Sequence, residues 1–333
     1  MILVTGATGL VGGHLMWHLL QENERVSATR RKNSKLDSLL IIFSFYTKSP
    51  IVFLERIDWI EADMLDEKSV NSALKGARIV YHCAAVVSLG SNDSNVMETN
   101  VSGTKNIVNT CLSNQVKKLC FVSSIAACGK TDNKEIIDEN GIWIDSPTQS
   151  TYSRSKYYSE QEVWKGIKEG LNAVIVNPGV VLGVSGTDTG SSELFARVQK
   201  GLIFYTNGGS GYIDVQDVVK IMIQLVKSET TAERFVLVSE NCSNRQVLSL
   251  MAKGFNKPEP IIGVGKRMLV GIGFLSETIG KLFRHKPLID RGMARSTTNR
   301  AYYSSTKVHK LMEYKFKPME ECISEVCRFR LRK

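Results

Sequence analysis

The sequence has few of the residues that stabilise small secreted folds or structural metal sites. It contains seven cysteines, an odd number, and no two of them form a CxxC pair. Its five histidines are scattered without the spacing of metal ligands. We therefore predict neither a disulfide framework nor a metal site. Free cysteines are common buried residues in reducing compartments, which favours a cytoplasmic location.

Proline is scarce and long hydrophobic runs are absent. Only 7 of the 333 residues are proline, 43% are hydrophobic and 23% are charged, a composition that excludes low-complexity disorder. The most apolar stretches, Leu39–Leu54 and Met268–Phe283, are interrupted by Ser, Lys, Gly or Glu. Both fall short of the roughly 20 apolar residues that a membrane-spanning helix needs. We predict no transmembrane segment and, because residues 1–4 already have strand character, no signal peptide.

Acidic residues are outnumbered near the carboxyl end of the chain. The net charge is +10, and residues 279–333 hold 14 Lys and Arg against 5 Asp and Glu, which gives +9 in this segment. Such a segment could contact anionic lipid, nucleic acid or an acidic substrate, but charged helix faces are usually solvated. We predict no nucleic-acid partner. The apolar stretch at 268–283 has near-helical spacing and predicts a helix that lines a substrate cleft.

Short apolar runs alternate with stretches of helical periodicity in the first half of the chain. Val11, Leu15 and Leu19, for example, share one helical face. This alternation predicts an α/β fold with a Rossmann-type, doubly wound parallel sheet. The predicted strands are Ile2–Thr5, Arg25–Thr29, Ile57–Glu61, Ile79–Cys83, Lys118–Ser123 and Asn172–Asn177.

The length of 333 residues suggests about two domains. The pattern changes after Pro178, where glycine and serine crowd the sequence up to residue 192. We predict a dinucleotide-binding Rossmann domain at 1–177, with a returning strand and helix near 211–227. A smaller substrate-binding lobe would occupy 178–333.

Three regularly spaced glycines follow the first predicted strand and precede the first helix. The first permits a tight turn, the second lets the backbone approach a pyrophosphate, and the third lets helix and strand pack closely. The helix N-terminus then faces the phosphates. The residues predicted to bind a dinucleotide here are Gly6, Thr8, Gly9, Leu10, Val11 and Gly12.

The end of the second predicted strand has no acidic residue. A carboxylate at this place would accept hydrogen bonds from a free 2′-hydroxyl group and repel a 2′-phosphate. The sequence instead has Arg30, Arg31 and Lys32, whose positive charges suit a 2′-phosphate. It therefore predicts a preference for NADP(H), with NAD(H) as the alternative.

Tyr152 and Lys156 are four residues apart, a spacing that places both side chains on one face of a helix. A nearby cation stabilises a phenolate and brings the pKa of a phenol down from about 10, so that it can exchange a proton near neutral pH. Ser123 and Ser124 end a predicted strand at the carboxyl edge of the sheet, where a hydroxyl group can hold a substrate carbonyl.

Together these features resemble the extended short-chain dehydrogenase/reductase family, in the branch of dihydroflavonol 4-reductases and 3β-hydroxysteroid dehydrogenases. The resemblance extends over essentially the whole chain and includes the glycine loop and the Tyr152/Lys156 pair. The other shared motifs are Asp63-Met64, His82-Cys83-Ala84-Ala85, Asn100-Val101-x-Gly103-Thr104, Ser123-Ser124 and Asn177-Pro178-Gly179.

The resemblance also implies a role for each motif. Ser124, rather than Ser123, would polarise a carbonyl group. Tyr152 would exchange the proton, while Lys156 would lower the phenol pKa and bind the nicotinamide ribose. Arg31 would be the main ligand of a 2′-phosphate. The further cofactor contacts that it implies are Asp63, Met64, Ala84, Ala85, Asn100, Ser123, Asn177, Pro178, Gly179 and Val180.

Departures from the family pattern narrow the chemistry. Ile125 and Ala126 stand where the sugar-nucleotide 4,6-dehydratases have an acidic pair, and Cys128 stands where many epimerases have tyrosine. The acidic residues at 138, 139 and 145 fall on a predicted loop, where we interpret them as solvated. Elimination chemistry therefore lacks its acid and base, and the epimerase interpretation is weakened.

We accordingly predict an NADP(H)-preferring carbonyl reductase or alcohol dehydrogenase that acts on a small, apolar or aromatic molecule. One alternative is a sugar-nucleotide epimerase that keeps NAD tightly bound. Another, from a different class, is a non-catalytic protein that senses NADP. The complete set of Ser124, Tyr152 and Lys156 favours an enzyme, and a homodimer is compatible with this interpretation.

Overall fold

The computed structural model describes residues 1–87, 94–130, 136–146, 149–265 and 298–332. The helix predicted at 268–283 lies outside the described residues. Within the described ranges, no helix combines the length and the apolar character that crossing a membrane would require.

Strands and helices alternate along the amino-terminal half of the chain, as the sequence pattern predicts. In chain order, the strands are β1 (Ile2–Thr5), β2 (Val26–Arg30), β3 (Ile57–Glu61), β4 (Ile79–His82), β5 (Lys118–Val122), β6 (Ile136–Ile137), β7 (Ala173–Pro178), β8 (Val180–Leu182), β9 (Phe204–Thr206), β10 (Gly209–Asp214), β11 (Glu233–Leu237), β12 (Glu240–Ser243), β13 (Ile262–Val264) and β14 (Tyr302–Tyr303). The six predicted strands correspond to β1 to β5 and β7, with ends that agree to within one residue.

The helices follow the same order. They are α1 (Leu10–Glu22), α2 (Asp37–Tyr46), α3 (Pro50–Leu54), α4 (Glu67–Leu74), α5 (Ser94–Met97), α6 (Gly103–Ser113), α7 (Thr151–Lys168), α8 (Ser192–Gln199), α9 (Val215–Lys227), α10 (Asn244–Gly254), α11 (Thr306–Met312) and α12 (Met319–Leu331). A π-helical turn at Glu98–Ser102 joins α5 to α6, and a short 3-10 helix at Ile125–Ala127 follows β5.

The main sheet has the strand order β11-β7-β5-β4-β1-β2-β3 among the described residues, and every pairing in it is parallel. Along β5, alternate side chains pack on opposite faces: Cys120 and Val122 on one, Leu119 and Phe121 on the other. Helices α1, α2 and α9 cover the first face, and α4, α6 and α7 cover the second. This arrangement confirms the predicted doubly wound, Rossmann-type fold.

The carboxyl-terminal half forms smaller sheets and a separate apolar cluster. Within the described ranges, β10 pairs in parallel with β8 and antiparallel with β12, while β9 pairs with β13 and β14 with β6. Helices α8, α10 and α12 pack together around Phe195, Met251 and Ile323. The predicted return of the chain falls on β10 and α9, and α9 packs against α1. The strand that joins the main sheet after this return is β11, beside β7.

Strand β11 lies at one edge of the main sheet, and side chains cover its outer edge. The carboxylate of Glu139 accepts a hydrogen bond from the Val236 backbone N–H at 2.8 Å. The Ser305 hydroxyl accepts one from the Val238 N–H at 2.6 Å and donates to the carbonyl of the same residue at 2.9 Å. The interpretation of Glu139 as a solvated loop residue is therefore wrong, because its partner is a strand that only the tertiary fold brings near.

Candidate active site

The residues predicted to form the site follow the carboxyl ends of neighbouring strands. The glycine loop follows β1, the basic residues end and follow β2, and Asp63 follows β3. Ala84 follows β4, Ser124 follows β5, and β7 ends at Pro178. Because the sheet is parallel, these segments share one edge, which is where open α/β sheets bind ligands.

The glycine loop is packed too closely for side chains at two of its three positions. Gly6 has a φ of +72°, and a Cβ atom there would lie 2.6 Å from the backbone nitrogen of Ala84. A Cβ atom on Gly12 would lie 2.2 Å from the carbonyl oxygen of Gly6. At Gly9, the nearest atom to an added Cβ is the Gly6 oxygen at 3.3 Å. A Cβ atom is therefore excluded at Gly6 and Gly12, whereas at Gly9 it would make one tight contact.

Gly9 is also the N-cap residue of α1, and no described side chain caps it. Leu10 and Val11 form the first turn of this helix, and the Thr8 carbonyl oxygen accepts a hydrogen bond from the Ser38 hydroxyl at 3.0 Å. An uncapped helix N-terminus at a glycine, which has no side chain to cover the backbone N–H groups, suits an anionic phosphate. The loop therefore fits a dinucleotide on steric and electrostatic grounds.

A buried hydrogen-bond chain fixes the base of this loop. The Thr5 hydroxyl accepts from the Ala84 N–H at 3.3 Å and lies 2.7 Å from Nδ1 of His82. Nε2 of His82 lies 3.1 Å from the Thr104 hydroxyl on α6. Burial lowers the pKa of His82 to about 3, so the ring is neutral. A neutral ring carries one N–H and one acceptor nitrogen, so His82 can donate to one of the two threonine hydroxyls and accept from the other.

The basic residues after β2 lie in different surroundings. The Arg30 guanidinium stacks over the Trp59 ring of β3, 5.6 Å from its centroid. The side chains of Arg31 and Lys32 are exposed, and within the described ranges neither forms an ion pair. Ser34 accepts a hydrogen bond from the Arg31 backbone N–H at 3.1 Å and so orders the turn. Arg31 and Lys32 are thus better placed than Arg30 to meet an anion.

Asp63 and Met64 form a turn after β3. The Asp63 carboxylate accepts from the Leu65 N–H at 3.0 Å. The Met64 side chain packs against Gly103 at the start of α6, where an added Cβ would lie 2.8 Å from its Cε atom. Asn106 donates to the Met64 carbonyl at 2.8 Å. Helix α6 therefore holds this turn against the sheet edge.

Asn100 connects the segment after β4 to helix α7. Its Oδ1 atom accepts from the Val86 N–H at 2.7 Å, and its Nδ2 atom donates to the Val86 carbonyl and to the Ser155 hydroxyl, each at 3.0 Å. The segment that contains Ala84 and Ala85 is thereby held between β4 and α7. The predicted role of Asn100 as a direct cofactor contact stays a prediction.

Ser124, Tyr152 and Lys156 are brought together by β5 and α7. The Ser124 hydroxyl accepts a hydrogen bond from the Ala126 N–H at 3.2 Å and lies beside the Tyr152 phenol. Since its oxygen already accepts from Ala126, the serine can direct its own proton to the phenol oxygen. Burial raises the pKa of Tyr152 from its usual value, and the neighbouring Ser124 hydroxyl counteracts part of that rise.

Lys156 is buried beneath this pair. Its Nζ atom donates to the Val122 carbonyl at 2.9 Å and lies 5.6 Å from the centroid of the Phe121 ring. Burial lowers the pKa of Lys156 to about 8, while the charge of Glu160 acts to raise it. The lysine therefore titrates close to neutral pH and responds to the charges around it.

The neighbouring serine is engaged elsewhere. Ser123 is buried, and its hydroxyl donates to Oε2 of Glu160 at 2.7 Å. Alternation along the strand separates the two serines, so that Ser124 is directed at Tyr152 while Ser123 is directed at Glu160. The role of Ser124 as the chemically active serine stays a prediction.

Asn177 joins the ends of β5 and β7. Its Nδ2 atom donates to the Ser124 carbonyl at 3.0 Å and to Oε2 of Glu160 at 2.8 Å. Its Oδ1 atom is buried and has no partner among the described residues, which leaves an acceptor for a ligand or water. Pro178 ends β7, Gly179 packs against the Gly211 carbonyl, and β8 starts at Val180.

Sequence reasoning missed Glu160 and Arg234. Glu160 lies four residues after Lys156, on the same face of α7, and this spacing was the available signal. Arg234 lies on β11, and its guanidinium is 3.1 Å from Oε1 of Glu160. Arg234 has no comparable signal, because β11 reaches the site only through sheet pairing.

Comparisons with known proteins identify the family of this chain. The model of the NAD dependent epimerase/dehydratase family matches residues 2–237. The chain is 28% identical over 316 residues to a protein of Synechocystis sp. provisionally named dihydroflavonol 4-reductase, covering 91% of this chain and 87% of that relative. It is 28% identical over 271 residues to cinnamoyl-CoA reductase 1 of Petunia hybrida, covering 76% of this chain and 77% of that relative.

A solved structure agrees over the full length. The crystal structure of gox2253 superposes with a TM-score of 0.81 at 25% identity and covers 100% of this chain and 98% of that chain. Because the family model spans well over half of the sequence, the chain belongs to the NAD dependent epimerase/dehydratase family, among the extended short-chain dehydrogenases/reductases.

Proposed function

We propose that this protein is an NADP(H)-preferring oxidoreductase that interconverts a carbonyl and an alcohol group on a small apolar or aromatic molecule. The observation that carries the proposal is the placement of Ser124, just after β5, beside α7, which holds Tyr152 and the buried amine of Lys156. The reductase relatives support the same class of reaction. We assign the protein to a reducing compartment, the cytoplasm, because all seven cysteines are unpaired.

The residues that would hold the cofactor form three groups. Gly9 and the first turn of α1 would bind the pyrophosphate, and Arg31, assisted by Lys32 or Arg30, would bind the 2′-phosphate. Asp63, Met64, Ala84 and Ala85 would line the adenine and the dinucleotide. When bound, the nicotinamide supplies or accepts the hydride.

The side chains of the site would then handle the proton. Ser124 would donate a hydrogen bond to the substrate oxygen, and the Ala126 N–H of the short 3-10 helix fixes the position of the Ser124 hydroxyl. Tyr152 donates its phenol proton to that oxygen in reduction and takes it back in oxidation. Protonated Lys156 would favour the phenolate and bind the nicotinamide ribose.

The surroundings of the site favour an apolar substrate. The two residues after Ser124 are Ile125 and Ala126, which can neither donate nor accept a proton through their side chains. Cys128 is fully buried, and burial raises the pKa of its thiol. These features favour apolar or aromatic carbonyl compounds over nucleotide sugars.

The test is turnover of a panel of apolar and aromatic aldehydes and ketones, measured as oxidation of NADPH and of NADH. The wild type is compared with Tyr152→Phe, a variant that lacks the phenol hydroxyl, and with it the proton path, but keeps the ring. We expect the variant to bind NADPH as the wild type does and to lose between roughly 10²- and 10⁴-fold in kcat. A kcat of the variant within about threefold of the wild-type value, far short of the expected loss, would refute the role of Tyr152.

Two other outcomes identify the alternatives. Tightly retained NAD together with interconversion of a nucleotide sugar would indicate an epimerase. Cofactor binding without turnover of any carbonyl compound or nucleotide sugar would indicate a sensing protein.

A further inference from the structure

We propose that Glu160 is a positioning residue, which holds the ends of β5 and β7 in register and keeps Lys156 protonated through its negative charge. The inference rests on the proposed function for its kinetic readout and deepens it by adding a residue that touches neither substrate nor cofactor.

Glu160 is the point at which four hydrogen-bond donors converge. Its Oε2 atom accepts from the Ser123 hydroxyl at 2.7 Å and from Nδ2 of Asn177 at 2.8 Å. Its Oε1 atom accepts from Nε1 of Trp164 at 3.2 Å and from the Arg234 guanidinium at 3.1 Å. Glu160 itself is fully buried. Four donors on two oxygens match an ionised carboxylate, which accepts hydrogen bonds and donates none.

These bonds connect Glu160 to the reacting serine by two routes. Ser123 precedes Ser124 in the chain, and Asn177 donates to the Ser124 carbonyl at 3.0 Å. Both contacts act on the backbone that directs the Ser124 hydroxyl at Tyr152. A shift of Glu160 would therefore move Ser124, although the two side chains do not touch.

Arg234 connects this hydrogen-bond network to the segment before α7. The guanidinium donates to the backbone carbonyls of Glu139 and Gly141 as well as to Glu160. The segment that leads to the start of α7, and hence to Tyr152, is thereby connected to the same carboxylate. Removing one partner of a buried ion pair is strongly destabilising, so the pair also contributes to the fold.

The charges around Lys156 make Glu160 the acid that matters for its protonation. From β4, His82 faces the lysine as a neutral ring, and Cys83 faces it as a neutral thiol, since burial raises the pKa of that thiol to about 12. From α7, Tyr152 faces it as a phenol, with its pKa raised by burial. Glu160, one helical turn away, supplies the negative charge and acts to raise the pKa of Lys156.

The test compares Glu160→Gln with Trp164→Phe. The first variant removes the charge, while the second removes one hydrogen bond from the same carboxylate and keeps the charge. NADP affinity is measured across pH without substrate. In the wild type we expect it to fall as the pH rises past about 8, where Lys156 loses its proton. The midpoint of this fall is the pH at which half of the change in NADP affinity has occurred. In Glu160→Gln this midpoint should move down by about one pH unit or more, and in Trp164→Phe it should stay unchanged.

Arg234→Gln provides a second variant in case Glu160→Gln does not fold. In the wild type, the positive guanidinium partly cancels the negative charge of Glu160. Without the guanidinium, that negative charge acts more strongly on Lys156, so the midpoint should move to higher pH. Opposite shifts in the two variants support the proposal. A midpoint equal to that of the wild type in either folded variant overturns it.

Measurements of turnover test whether Glu160 positions Ser124. In Glu160→Gln, misplacement of Ser124 should lower kcat between roughly ten- and a hundredfold with a small change in KM. An unchanged kcat overturns the positional role. If no carbonyl compound is turned over even by the wild type, the proposed function fails, while the affinity titration still decides the electrostatic role of Glu160.

Discussion

At the residue scale, two neighbouring arginines show how surroundings separate chemically identical side chains. Arg30 ends β2 with its guanidinium stacked over Trp59, an interaction that covers one face of its cation. Arg31 follows on the turn and is exposed. A 2′-phosphate needs a guanidinium that is free to present two donors, and Arg31 meets that condition better.

Arg31→Ala should therefore weaken NADPH binding and leave NADH binding unchanged. A charge-assisted hydrogen bond contributes roughly 1.5–3 kcal/mol, which corresponds to about a tenfold to a hundredfold loss of NADPH affinity. Titration of both cofactors measures the ratio. Arg25→Ala is the control, because Arg25 is an exposed arginine at the other end of β2 that pairs with Asp58. An unchanged ratio in Arg31→Ala would exclude it as the selecting residue.

At the element scale, the edge strand β11 depends on side chains from distant parts of the chain. A sheet edge with free N–H and C=O groups invites pairing with another chain. Here Glu139 and Ser305 satisfy the backbone groups of Val236 and Val238. Val236 is fully buried, so its N–H would find little water if Glu139 were removed.

Glu139→Ala should lower the free energy of unfolding by about 1–3 kcal/mol, because it leaves the Val236 N–H without an acceptor. Glu139→Gln keeps an amide oxygen at this place and should unfold almost as the wild type does. Urea unfolding of the three proteins measures the difference. Equal losses in both variants would mean that charge, and not the hydrogen bond to β11, is what stabilises the edge.

At the scale of the whole molecule, buried neutral histidines make stability depend on pH. His14 is fully buried between the Tyr46 hydroxyl and the Val184 carbonyl, and burial lowers its pKa to about 4. Burial lowers the pKa of His82 to about 3. Since both values lie below that of an unfolded histidine, about 6.5, the unfolded chain takes up protons first as the pH falls. The stability that the neutral rings contribute is complete at pH values above the unfolded-state pKa. It is lost progressively as the pH falls from that pKa to the folded-state pKa.

We therefore expect the free energy of unfolding to drop between pH values of about 7 and about 5, by about 2 kcal/mol for each fully buried histidine. His14→Gln keeps a donor and an acceptor but does not titrate, so its drop should be about 2 kcal/mol smaller. Urea unfolding at the two pH values gives the comparison, with the exposed His309→Gln as control. A drop in His14→Gln as large as in the wild type would contradict this assignment.

The sequence by itself determined the features that depend on near neighbours. Apolar alternation predicted β1 to β5 and β7, and the glycine spacing predicted a loop in which Gly6 and Gly12 have no room for a Cβ atom. The four-residue spacing of Tyr152 and Lys156 predicted one helical face, and both lie on α7. These patterns arise from steric and periodic constraints within a few residues, so they can be detected without knowing the fold.

Only the tertiary structure decided which distant groups meet. It joined β11 to β7, and so brought Arg234 to Glu160 and the Val236 N–H to the Glu139 carboxylate. It also directed Ser123 to Glu160 and Ser124 to Tyr152, and set Arg30 apart from Arg31 through contact with β3. The physical reason is that burial, hydrogen-bond partners and pKa values depend on segments far apart in the chain, whose approach is determined by packing and strand order and not by local periodicity.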